Sequence, residues 1–140
     1  MTGTVLLMVV VVLTTVGGLV HRRRDGRVRE SKGTRTATLT DEVRALGEQP
    51  GTKATLLQFS SAFCAPCRAT RRTLAEVAAM VDGVAHVEVD AEHHLELVRR
   101  LGILKTPTTL VLDADGVEVL RASGQPRKAD VLAALGRAVP

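Results

Sequence analysis

Both cysteines of this 140-residue chain stand in one tetrad, Cys64-Ala65-Pro66-Cys67. Two sulfurs with two residues between them can exchange between dithiol and disulfide, and the one that ionises is the nucleophile. The tetrad follows a compact apolar run at 54–59 and a short loop at 60–63, and it precedes a stretch of helical period. The run reads as a strand buried on both faces. Cys64 is therefore expected at the amino end of a helix, where backbone N–H groups lack intrahelical acceptors and the helix dipole is positive. Both effects favour a thiolate at Cys64. Cys67, one turn on and more covered, is placed to attack a mixed disulfide formed at Cys64. Pro66 suits the first helical turn, where a missing N–H costs little.

Three blander roles compete for the same pair. A structural disulfide here would close a tiny loop and gain little entropy. A zinc site would need two further ligands from His21, His86, His93 and His94, and neighbouring residues on a helix, such as His93 and His94, point in different directions. The third is a pair of inert core thiols. No metal and no cofactor are expected.

Composition narrows the classes. Hydrophobic residues make up 45% and charged residues 24%, as in a folded domain. Two Phe, no Trp and no Tyr exclude a single-strand nucleic-acid module built on stacking aromatics. Two Cys complete neither a four-cysteine zinc site nor a multi-bridge scaffold. The net charge of +4 is uneven: residues 21–39 hold seven basic and two acidic side chains, leaving 12 basic and 13 acidic elsewhere. The globular part is thus nearly neutral, and no nucleic-acid partner is expected.

The elements that must position the pair alternate. A β-prone stretch at 34–39 precedes a helix start with Thr40 as N-cap and Asp41 and Glu42 in its first turn. After the strand at 54–59 and the helix behind Cys64, with Leu74, Val77, Ala78 and Val81 on one face, come a strand at 84–89 and a helix at 92–101 carrying Leu95, Val98 and Leu101 inward. A strand at 108–112, a hairpin turn at 113–116 and a strand at 117–120 follow, and Pro126 opens a last helix with Val131, Leu132 and Leu135 inward. The order predicts an α/β fold: a mixed central sheet with helices on both faces.

Residues 1–20 contain an uncharged run of membrane-spanning length, about 30 Å as a helix. No Lys or Arg precedes it, no clear Ala-x-Ala site follows, and His21-Arg22-Arg23-Arg24 comes directly after, so it reads as one uncleaved transmembrane helix rather than a signal peptide. Positive charge on its C-terminal side places the domain in the cytoplasm. Residues 21–33 read as a basic, flexible tether whose cations can lie near anionic headgroups, leaving 34–140 as the domain.

Residues 57–67 (Leu-Gln-Phe-Ser-Ser-Ala-Phe-Cys-Ala-Pro-Cys), Val89-Asp90, Ile103-Leu104-Lys105-Thr106-Pro107-Thr108 and Gly124 together resemble the thioredoxin family, in its order and near its spacing, over 34–140. The resemblance implies a thioredoxin-like fold with Cys64 and Cys67 catalytic. It implies that Thr106-Pro107 forms a loop beside the cysteines that presents backbone groups to an extended substrate, with Pro107 in the place of the family's cis-proline. Phe63, Ala65, Pro66 and Gly124 would complete the substrate-binding surface, Phe63 standing where the family usually has Trp. The family's buried acid is replaced by Gln58, and its nearby Lys by His86; these are the supporting positions. Gln58 cannot take up a proton at neutral pH, and an ordinary imidazole titrates near neutrality, so two readings of His86 stand: a packed strand histidine without a catalytic part, which is favoured, or a group that shares that role.

The function expected is a membrane-tethered thiol–disulfide oxidoreductase that reduces protein disulfides and is recycled by a thioredoxin-reductase-like electron donor. Two rivals stand beside it. One is an anchored reductase on the extracytoplasmic side, disfavoured by the short stretch 90–101, which leaves little room for the acid-bearing insertion usual in that group. The other is a thioredoxin-fold binding or scaffold module with little turnover, favoured by the missing acid at 58.

Overall fold

The computed structural model describes residues 2–30 and 38–139. The chain begins with helix α1 (Thr2–Arg24), whose residues are all exposed and whose most apolar 18-residue stretch has a mean hydropathy of 2.4; by length and composition it is apolar enough to cross a membrane. Within it the hydroxyl of Thr14 donates to the carbonyls of Val10 and Val11, and that of Thr15 to Val11, so neither presents an open donor to an apolar surrounding.

The body contains β1 (Val28–Glu30), α2 (Thr40–Ala45), β2 (Ala54–Ser60), α3 (Ala65–Met80), β3 (Val84–Asp90), α4 (Leu95–Arg100), β4 (Thr108–Asp113), β5 (Glu118–Ser123) and α5 (Lys128–Ala138). The sheet order is β1-β5-β4-β2-β3, with β2 and β3 parallel and the other neighbours antiparallel. This is the mixed sheet with helices on both faces that the alternation predicts. Every residue of β2 is buried, as its apolar run requires at the centre of a covered sheet. Its side chains divide by parity. Leu57 and Phe59 join Val43, Leu97, Ile103 and Leu110 under α2 and α4. Ala54 and Leu56 join Leu74, Val77, Val131 and Leu135 under α3 and α5. Gln58 lies on the second of these faces by the same alternation.

Several expectations need correction. The segment 21–33 is not a free tether over its described part. Arg22, Arg23 and Arg24 continue α1, and β1 adds a strand to the sheet, with Val28 opposite Ala122 and Glu30 opposite Leu120. Asp25 and Gly26 make the turn between them. Gly26 adopts φ 75° and its N–H donates to the carbonyl of Ser123, while Val28 packs against the α3/α5 core. The unpaired edge of β5 supplies the hydrogen bonds that a strand of three residues could not supply for itself. Most of the β-prone stretch 34–39 lies outside the described residues; Thr38 and Leu39 are not strand.

Thr40 is not the cap of α2. Leu39 occupies that place, and the Thr40 hydroxyl donates across to the carbonyl of Asp115. Helix α4 is shorter than 92–101, because Asp90 engages the segment before it: its carboxylate accepts from the N–H of Glu92 and meets His93 Nδ1, and its carbonyl accepts from His94 Nδ1. The delayed start turns the helix so that Leu97 is buried and Leu95 stays exposed; Val98 and Leu101 are partly buried against the core as expected. In α5 the inward residues are Val131, Ala134, Leu135 and Ala138, with Leu132 at the margin.

Candidate active site

The tetrad sits where β2 hands the chain to α3. Cys64 takes extended geometry (φ −104°, ψ 100°) and caps the helix, its Sγ accepting the backbone N–H of Cys67 at 3.2 Å. Its carbonyl accepts from the N–H groups of Cys67 and Arg68, so both cap acceptors of α3 belong to this one residue. Pro66 lies in the first turn. Cys64 and Cys67 are joined as a disulfide, with Cα atoms 5.2 Å apart. Their environments differ: Cys67 is 2% exposed, whereas Cys64 is half-buried at the rim, next to exposed Phe63, Ala65 and Pro66. The asymmetry follows from the helix, which turns Cys67 inward along the row of Thr70, Leu74 and Val77 and leaves its cap outside.

The rim continues at the Thr106–Pro107 loop, whose peptide bond is cis. The hydroxyls of Ser61 and Thr106 meet at 2.9 Å and join this loop to the one before Cys64. Gly124 is held beside it, its N–H donating to the carbonyl of Pro107 at 2.7 Å. Gly124 is buried rather than open, with φ 96°, and the Asp25 carboxylate covers it: a Cβ there would stand 2.5 Å from that group. Asp25 also pairs with Lys105, one residue before Thr106.

Behind Cys67 lies a polar bed. Gln58 is fully buried; its Nε2 donates to the carbonyl of Cys67 at 3.0 Å and to the Ser60 hydroxyl at 2.8 Å. Its Oε1 meets His86 Nε2 at 3.0 Å. Burial holds the His86 pKa below its ordinary value; Glu88 opposes this and Arg71 reinforces it. Those two groups form an ion pair of 2.6 Å between α3 and β3. Thr70 and Thr109, also buried, have hydroxyls without a hydrogen-bond partner on this side of the sheet.

The structure therefore brings together ten sequence-derived positions: Phe63, Cys64, Ala65, Pro66 and Thr106 at the rim, Cys67, Pro107 and Gly124 buried just behind it, and Gln58 and His86 beneath. Ser60, Ser61 and Lys105 enter the sequence reading only as part of the family resemblance, with no role at the site, and Asp25 only as a charge of the basic segment. The two serines adjoin the tetrad and could have been suspected as polar residues at the end of an apolar strand. Asp25 and Lys105 lie 80 positions apart, and only the fold joins them. Of the remaining imidazoles, His93 and His94 both contact Asp90 and His21 lies at the end of α1, and among the described residues no group of three or more His, Cys, Asp or Glu could hold a metal ion.

A family described as a thioredoxin-like domain matches residues 41–139. Thioredoxin from Mycolicibacterium smegmatis is 29% identical over 112 residues, spanning 78% of this chain and 99% of its own. Thioredoxin from Mycobacterium tuberculosis is also 29% identical, over 79% of this chain and 96% of its own. Among solved structures, Fasciola hepatica thioredoxin superposes with a TM-score of 0.58 at 24% identity, covering 73% of this chain and 95% of its own. Reduced Schistosoma mansoni thioredoxin pre-protein does so with 0.58 at 22%, covering 70% and 90%. At those identities the structural likeness is one of fold. Fold, family and paired cysteines together support thiol–disulfide oxidoreductase chemistry.

Proposed function

The chain belongs to the thioredoxin-like family, and from that premise we propose that it is a membrane-anchored reductase of protein disulfides, working through Cys64 and Cys67 on the cytoplasmic side. The observation that carries the reading is the unequal setting of the two sulfurs. Cys64 Sγ is at the rim and receives a backbone N–H at the start of α3, while Cys67 is buried one turn on.

In the reduced protein the same N–H and the helix dipole favour the thiolate at Cys64. That thiolate attacks one sulfur of a substrate disulfide; the substrate S–S bond breaks, and the departing sulfur takes a proton from solvent. Cys67, losing its proton, attacks Cys64 Sγ in the mixed disulfide, and the second substrate sulfur leaves as a thiol. Two electrons pass to the substrate, and the protein ends in the disulfide form. A dithiol or a thioredoxin-reductase-like donor must return the two electrons.

Thr106 and Pro107 serve as the docking edge for the substrate backbone, with Phe63, Ala65 and Pro66 as its side-chain contacts and Gly124 bracing the loop from behind. Gln58 and His86 act as positioning residues through the carbonyl of Cys67. The hydropathy of α1 supports anchoring, and Arg22, Arg23 and Arg24 support a cytoplasmic domain.

The test is reduction of insulin by dithiothreitol, with and without the full chain in detergent. Wild type accelerates the reaction and Cys64→Ser abolishes the acceleration. Equal rates for the two would leave a binding or scaffold module, the reading that Gln58 in place of an acid favours.

A further inference from the structure

The anchor joins the domain at the same end of the sheet as the cysteines. Strand β2 ends at Ser60, just before the tetrad, and β4 starts opposite that end, with Thr108 beside Phe59. Strand β5 ends there too, with Ser123 beside Thr108, and β1 starts there, with Val28 beside Ala122. The point at which α1 enters the body is therefore three strand spacings from β2, roughly 14 Å across the sheet. From Val20 to Asp25 the polar end of α1 adds about 8 Å.

This junction is fastened by contacts, not merely by proximity. Gly26 N–H is bound to the carbonyl of Ser123 at 2.7 Å. Asp25 pairs with Lys105 and covers Gly124, and Gly124 holds Pro107. A flexible tether of similar length would give a comparable reach while leaving the domain free to turn. A strand locked into the sheet fixes which end stays beside the lipid.

That end also carries two bare apolar side chains. Phe63 is 100% exposed and Leu104 95% exposed. Each lies two positions from a member of the Ser61–Thr106 hydroxyl pair, which joins the loop before Cys64 to the Thr106–Pro107 loop, so the two side chains stand on adjoining loops. Surface apolar groups beside a reactive sulfur suit an extended peptide docked across these two loops.

We propose that the substrates are disulfides held close to the bilayer by integral membrane proteins, whose juxtamembrane segment docks on Phe63, Leu104 and the Thr106–Pro107 edge. This rests on the anchored-reductase reading above. The electron and proton balance is the exchange already described, with the membrane protein's disulfide as oxidant.

The experiment places the full chain in lipid vesicles with synthetic transmembrane peptides. Their disulfide loop lies either directly after the apolar segment or beyond a Gly/Ser spacer of about forty residues, which lowers effective concentration by roughly tenfold or more. The near loop is expected to be reduced about tenfold faster than the far one. A Gly/Ser insertion of about forty residues between Arg24 and Asp25, long enough for the domain to reach both loops alike, should bring that ratio close to one with the insulin rate unchanged. A native ratio of one, or a ratio that survives the insertion, overturns the proposal. So does a ratio of one accompanied by quenching of a Phe63→Trp fluorophore by brominated lipid in vesicles without peptide, which would make the face a lipid contact; wild type contains no Trp to obscure that signal. Loss of the oxidoreductase reading would register separately, as equal insulin rates for wild type and Cys64→Ser. Failure of the chain to co-sediment with vesicles would refute anchoring by itself.

Discussion

The side-chain amide of Gln58 has only one workable orientation. A carbonyl accepts and never donates, so the atom facing Cys67 O must be Nε2, and the Ser60 hydroxyl takes its second hydrogen. Oε1 is then left toward His86, whose Nε2 must carry the hydrogen between them. A neutral His86 is therefore protonated at Nε2, with its lone pair on Nδ1 and Gln58 between the ring and Cys67. This geometry suits positioning of Gln58 better than direct removal of the Cys67 proton. Because burial lowers the native pKa of His86, the unfolded chain binds more protons in the interval between that value and about 6.5. The stability gained from neutral His86 is complete above that interval and is lost as pH falls through the native value. Thermal unfolding in detergent should show Tm declining from pH 7 to pH 5 in wild type and declining less in His86→Gln. Parallel curves would remove His86 as the source.

At the scale of elements, the junction of α1 and β1 depends on one residue without a side chain. Gly26 has positive φ, and a Cβ there would come within 1.9 Å of the carbonyl oxygen of Gln125. Backbone cannot move aside as a flexible side chain can, so Gly26→Ala should release β1 at a cost above about 1 kcal/mol. Limited trypsin digestion reads this directly: cleavage after Arg27 requires β1 to open, and it should be several-fold faster in the variant than in wild type. Equal rates would mean that β1 does not protect this bond. The same element marks where sequence reading gave out. The strand–tetrad–helix succession was legible because Ala54–Phe59 is a compact, mostly apolar run without charge and α3 repeats at helical spacing. Strand β1 was not, since three residues containing one Val carry no period, and its stability comes from an edge nearly a hundred positions away. The rotated face of α4 was hidden for a similar reason: Asp90 delays the helix through contacts that hydrophobic spacing does not record.

Taken as a whole, the molecule is a nearly neutral domain carried on a cationic junction. The basic cluster His21 to Arg24, at the end of α1 next to the domain, is what favours the cytoplasmic side in the reading proposed above. A membrane-impermeant thiol reagent should leave reduced Cys64 unlabelled in intact cells and label it after lysis. Labelling of intact cells would put the domain on the other face and favour the extracytoplasmic reductase.

The pairing of β1 with β5 also decides where the protein can be divided. Removing α1 to obtain a water-soluble version invites a cut at the start of the family match, near residue 41, because everything before it looks like linker. Such a cut would strip away Val28–Glu30 and bare the flank of β5 at Leu120–Ala122, a row of unsatisfied amides ready to template a second molecule. A boundary placed before Asp25 would discard the greasy segment and keep the border of the sheet sealed.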